Sequence, residues 1–284
     1  MGSLEGHLVP GTIFILISLW WYTRAVVLCL KRRKERVIKR VKSKDAVAPS
    51  INRFHYWFPV KIRSCQLPVE PVAKTFLATC GVALELIYER QYTLLDEKGN
   101  FVQIHLNNYA HATMYSIFAL SGVLDLIDFY SLLRLPEGTT HFILGWAFFV
   151  EGLLFYNHLH GRSSLDVHFH SYIYFLAFAT AIVLLLEVAI TNPLPMILRA
   201  YLTSIHGTWF YQIGFALHFR SPWRNNTSNV EFITIALVWH MISVFVLYTV
   251  IYAIIHQVTL KRMKITELNK RILESDSESE FENK

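Results

Sequence analysis

Apolar stretches of about twenty residues, the length needed to cross roughly 30 Å of hydrocarbon, recur seven times along this chain. They lie at 8–30, 69–89, 108–133, 141–158, 167–190, 194–217 and 232–256. The overall hydrophobic content of 53% is compatible with a soluble protein. Its concentration into runs of this length is not, because a soluble helix keeps a polar face. The pattern predicts an all-α protein, a seven-transmembrane-helix bundle over 1–256, followed by a polar tail over 257–284.

Charge orients that bundle. The net charge is +6, and most of the excess sits in a basic stretch at 31–66 that begins Lys31, Arg32, Arg33 and Lys34. A smaller group, Lys261, Arg262 and Lys264, follows the last apolar run. Basic residues beside membrane helices favour the cytoplasm. An odd number of spans satisfies both groups, with the amino terminus outside and the carboxyl terminus cytoplasmic; six or eight would separate them. The expectation is a multi-pass integral membrane protein with a basic cytoplasmic loop at 31–66.

Aromatics within that loop, Phe54, Tyr56, Trp57 and Phe58, stand beside cations, as they can in nucleic-acid sites. Here they flank membrane helices, so membrane lipids, with anionic lipids at the basic loop, are the expected partners. No nucleic acid is expected. The tail ends in ESDSESEFENK and reads as disordered and acidic. Two overlapping glycosylation sequons, at Asn225 and Asn226, fall in the loop at 219–230, outside under this orientation. Cys29, Cys65 and Cys80 do not, so no disulfide is expected.

Ionisable side chains inside apolar helices are expensive and mark functional or paired positions. On the second span Lys74, Ala78, Gly81 and Glu85 form one stripe; on the third, His111, Tyr115, Gly122 and Asp125 form another. Lys74 and Asp125 fall at the same depth and are expected to pair. Glu187 is expected to reach the interface, and Gly207 and Gly214 to allow close helix approach. The richest segment is 145–175, where two apolar runs meet at a turn carrying Glu151, Asn157, His158, His160, Asp166, His168 and His170.

Imidazole and carboxylate together suit zinc or another divalent first-row metal. The expected metal ligands are His111, His170 and His240, one from each of three helices, with His158 and His160 as alternates. Glu151 would serve as a fourth ligand or as the catalytic general base. The competing reading is a buried hydrogen-bonded network that fixes helix packing. No HExxH, nucleophile elbow or phosphate-binding glycine loop is present. Three functions remain open: a metal-dependent protein that binds or acts on a lipid-like molecule, a proton or cation transporter or channel, and a non-catalytic membrane scaffold.

Four motifs carry a family resemblance: GHLVPGTIFILISLWW, VEGLLFYNHLHGRSSLD, GTWFYQIGF and the Trp239–His240 pair. With them the chain resembles the transmembrane protein 45 family, and within it most closely the transmembrane epididymal proteins. The resemblance implies a multi-pass membrane protein without an established activity. Glu151, His158, His160, Asp166, His170, Gln212, His240 and His111 stand at positions matching the family. His206 departs from it, since Gln is usual there, and this weakens His206 as an essential ligand.

Overall fold

The computed structural model describes residues 4–42, 56–62, 64–88, 93–157, 159, 161–190, 192–219 and 222–282. Among these, seven α-helices dominate: α1 Leu4–Lys42, α2 Val69–Ala83, α3 Gln103–Phe129, α4 Thr139–Asn157, α5 Ser164–Ala189, α6 Leu194–His218 and α7 Thr227–Glu282. A single π-helical turn, Leu84–Tyr88, continues α2, and a short antiparallel hairpin, β1 Val60–Ile62 with β2 Cys65–Leu67, precedes it. The seven apolar runs therefore coincide with seven helices.

Five of them are long and apolar enough to cross a membrane: α1 over Leu4–Arg33, α3 over His105–Phe129, α4, α5, and α7 over Thr227–Arg262. The other two fall short for different reasons. The α-helical part of α2 is only 15 residues. The long helix α6 instead spends its buried face on polar residues, Arg199, Thr203, Ser204 and His206.

Two expectations change. The first helix does not stop at the start of the basic stretch but runs through it to Lys42. The acidic tail, expected to be disordered, continues α7 to Glu282. Between Leu260 and Glu274 the tail is rich in Lys, Arg, Glu, Met and Leu, all strong helix formers, and a helix already nucleated in the bundle extends cheaply into them.

Helices adjacent in sequence pack side by side, α2 on α3, α3 on α4, α4 on α5 and α5 on α6, and α6 closes onto α1. The helix α7 leans on α1, α6 and α5 from outside. Contact between α1 and α6 is the most extensive, and α1 makes no comparable contact with α2 or α3 among the described residues. The α1–α6 crossing depends on glycine. A methyl group at Gly11 would lie 2.9 Å from the carbonyl oxygen of Gly207, and one at Gly207 would lie 2.8 Å from that of Gly11. Hydrogen bonds tie the same unit to α7: Ser18 Oγ to Ser204 Oγ (2.6 Å), Ser204 Oγ to Tyr248 Oη (2.7 Å), and Tyr22 Oη donating to the Tyr248 carbonyl (2.7 Å). Since α1 and α7 run parallel here, their basic extensions leave the bundle at one end, called the basic end below; the opposite end is the amino-terminal end.

Two apolar clusters fill the interior. One, towards the basic end, includes Trp21, Tyr22, Val26, Leu144, Phe148 and Leu184. The other, towards the amino-terminal end, includes Phe155, Phe169, Ile173, Trp209 and Ile213. Tyr56 and Trp57 are buried under the basic end, 0% and 2% exposed. That burial corrects the expectation that they lie on a lipid leaflet; Phe54 falls outside the described residues.

Candidate functional site

At the basic end charged groups are locked to one another. Lys74 Nζ donates to Asp125 Oδ2 (2.6 Å), the pairing the two helical stripes predict. The Tyr56 hydroxyl donates to the same carboxylate oxygen and accepts from Lys74. Burial, then the neighbouring Asp125 charge, pushes the Tyr56 phenol well above its ordinary pKa, so it stays a neutral donor. On the facing side Arg199 Nε donates to Glu187 Oε1 (2.5 Å), and its Nη2 donates to the Tyr56 carbonyl (3.0 Å). The Arg199 guanidinium stacks 3.9 Å from the centroid of Trp21. Trp21 and Trp20 both donate to Glu70, at 2.6 Å and 3.1 Å.

Glu187, expected from sequence to reach the interface, is instead buried against Arg199. The expectation failed because the partner lies across the α5–α6 connection, outside the i,i+4 geometry that makes helical pairs readable. His141 Nε2 lies 3.7 Å from Glu187 Oε2.

A cavity of about 580 Å³ runs from this network towards the amino-terminal end. Its volume is that of a small-molecule site, about 300–1,000 Å³. One wall is α1, from His7 to Trp21; the other is α2, from Glu70 to Glu85. Each stretch covers about 20 Å at 1.5 Å per residue. Phe14, Tyr115, Phe118, Phe148, Phe155 and Phe210 line the middle. Leu16 of α1 and Leu77 of α2, both exposed, stand at its rim. The mouth is thus the seam between α1 and α2, on the side of the bundle.

Polar groups gather again where the cavity nears the amino-terminal end. His111 Nδ1 lies 3.3 Å from Glu85 Oε1. His170 Nδ1 lies 2.6 Å from Asp166 Oδ1, and Arg162 Nη1 donates to both oxygens of that carboxylate (3.1 and 3.0 Å). Local sequence sets this geometry. Ser163 caps α5 by accepting from the Asp166 amide, and Asn225 Oδ1 accepts from the Leu165 amide at 3.1 Å. Gly161 takes a φ of +76° in the turn before it. His7 meets His170 edge-on, ring centroids 5.8 Å apart.

The sequence-derived metal set is not brought together. His111, His170 and Glu151 line the cavity, but His240 does not. His240 lies against the Trp209 ring (5.5 Å between centroids), with Nε2 3.4 Å from Gln212 Oε1. Among the described residues no three His, Cys, Asp or Glu side chains are placed to hold a metal ion. The alternates His158 and His160 lie outside the described residues. His168 turns away, as expected, its Nδ1 2.7 Å from the Ser164 carbonyl.

Glu151 stands apart from the other acids of the cavity. It is 4% exposed, its Oε2 has no hydrogen-bond partner, and its Oε1 lies 3.6 Å from His206 Nε2. His206 is fully buried and stacked between Phe14 and Phe210, at 4.8 and 5.2 Å. Sequence reasoning passed over His7, Glu70 and Arg199, and took Tyr56 for an aromatic beside the membrane. An isolated buried Arg in a span was the one available signal, since it demands a carboxylate.

Residues 137–253, from just before α4 into α7, match the profile of a family of unknown function, DUF716, which is the family of the transmembrane protein 45 proteins. Glu151, His170, Glu187, Arg199 and His206 lie inside the matched region; His7, Glu70, Lys74, His111 and Asp125 lie outside it.

Proposed function

We propose that this chain is a seven-span membrane protein that binds a single-chain amphiphile, admitted sideways between α1 and α2. One observation carries the reading: a side-opening cavity with an aromatic middle and hydrogen-bonding groups at both ends. An alkyl chain along Phe14, Phe118 and Phe148 gains dispersion contacts, while a polar head meets Glu85, His111, Glu151 or His170. Such a site needs no metal, and the side-chain placement favours binding over metal-assisted chemistry.

The two basic extensions at one end of the bundle support a cytoplasmic basic end, with the amino terminus outside. The motifs quoted above support a likeness to the transmembrane epididymal proteins. The test is saturable binding of a fluorescent single-chain amphiphile to the purified full chain in nanodiscs. Substituting Ala73→Phe, at the exposed α2 rim of the cavity, is expected to weaken that binding at least roughly tenfold, about 1.4 kcal/mol. Absence of saturable binding to the native chain, or binding indifferent to Ala73→Phe, overturns the reading.

A further inference from the structure

Cavity-lining ionisable groups differ in whether they are already engaged. Glu70 accepts from two indoles, Lys74 donates to Asp125, Glu85 faces His111, and Arg162 and His170 share Asp166. Glu151 lines the cavity with a buried carboxyl oxygen, Oε2, that has no hydrogen bond. An acceptor left this way costs the full desolvation penalty of the group. A ligand donor at that place recovers it.

The surroundings narrow the donor further. Tyr115, Phe148, Phe155 and Phe14 line the same part of the cavity, and aromatic faces attract cations, the more so when desolvated. A second carboxylate, Glu85, lines the cavity from α2. An ionised carboxylate ligand carries only acceptors and cannot fill a bare acceptor oxygen. An uncharged alcohol would fill the hydrogen bond but gain nothing from the aromatic faces or from the second acid.

Resting on the amphiphile reading, we infer that the head group is a protonated primary amine: Glu151 receives the ammonium of a long-chain base, whose tail lies along α1 and α2 towards Trp20 and Trp21.

The test compares stearylamine, stearyl alcohol and stearic acid, three probes with one chain and three heads, on the purified full chain in nanodiscs of neutral lipid. Stearylamine is expected to bind at least roughly tenfold more tightly than the other two, the scale of a charge-assisted hydrogen bond. Glu151→Gln is expected to remove that preference, bringing amine binding down to the level of the alcohol. Equal binding of all three by the native chain overturns the head-group assignment and leaves the amphiphile reading standing. Binding of none overturns both. The native comparison needs no variant, so the inference stays exposed even if Glu151→Gln fails to fold. If Glu151→Gln folds and keeps the amine preference, Glu151 is not the receptor group and the inference falls.

Discussion

At the basic end, Arg199 is held by a carboxylate, a backbone carbonyl and an indole face, and Lys74 by Asp125 and Tyr56. At the middle of the cavity, Glu151 is also buried, but its Oε2 has no hydrogen bond and its Oε1 lies 3.6 Å from His206 Nε2. Both regions take ionisable groups out of water. The first offsets most of that cost with partners from four different segments, Arg199 Nη1 excepted; the second leaves a carboxyl oxygen without a hydrogen bond. The comparison separates charge used to hold helices in place from charge kept available, a distinction that burial alone does not reveal.

The largest effect tests the locked end. Arg199→Leu strands Glu187 without its cation, and breaking a buried pair from one side costs about 3–5 kcal/mol. Unfolding of the purified chain in detergent should show the loss; a change below about 1 kcal/mol would dissolve the contrast between the regions. Lys74→Met should cost somewhat less, about 3 kcal/mol, because Tyr56 still donates to Asp125. Pairing it with Asp125→Leu should restore most of the loss, since removing both partners leaves no orphan.

Gly11→Val inserts a side chain where backbones nearly touch. Its expected cost is about 1–3 kcal/mol, read in the same assay. Glu151→Leu carries the opposite expectation. Replacing an under-partnered buried carboxyl by an apolar group should be neutral or stabilising, by at most about 1 kcal/mol. A loss as large as that of Arg199→Leu would show that Glu151 is structural after all.

The smallest effect lies outside the bundle, in the loop that bridges Leu95 and Phe101. Asp96 Oδ1 accepts from the amides of Asn100 and Lys98, and the Asn100 bond above all holds the carboxyl below its ordinary pKa. A depressed folded-state pKa gives stability that is complete above the unfolded value and is lost as pH falls through the folded one. Amide exchange at Lys98 and Asn100 should therefore quicken only below the usual carboxylate range. Unchanged exchange in acid would remove Asp96 as the cause of this turn.

Helix positions were legible because membrane crossing calls for long apolar runs, and each run coincides with a helix, five of them long and apolar enough to cross. The Lys74–Asp125 pair was legible because two adjacent antiparallel helices put matched stripes at matched depths. The Arg199–Glu187 pair was not, since its members are joined through a bend around Asn192 and Pro193 whose geometry no periodicity encodes. Tyr56 and Trp57 misled for a related reason. Composition cannot tell an aromatic resting on lipid from one plugging the end of a bundle. Depth alone put His111, His170 and His240 on one level; helix rotation turned His240 to Trp209 and away from the cavity.

The backbone approach of Gly11 to Gly207 limits how the seam can open. With no side chain between them to rearrange, α1 and α6 form one plank, pinned further by the Ser18–Ser204–Tyr248 bonds. Widening then falls to the hairpin of α2 and α3, joined so closely that a methyl at Gly122 would lie 2.2 Å from Thr75 Oγ1. The hairpin is therefore the side of the seam with fewer ties to the rest of the bundle. Paired spin labels on α1 and α2 should then spread when an amphiphile loads, while labels on α1 and α6 keep their separation; the reverse pattern would put the hinge elsewhere.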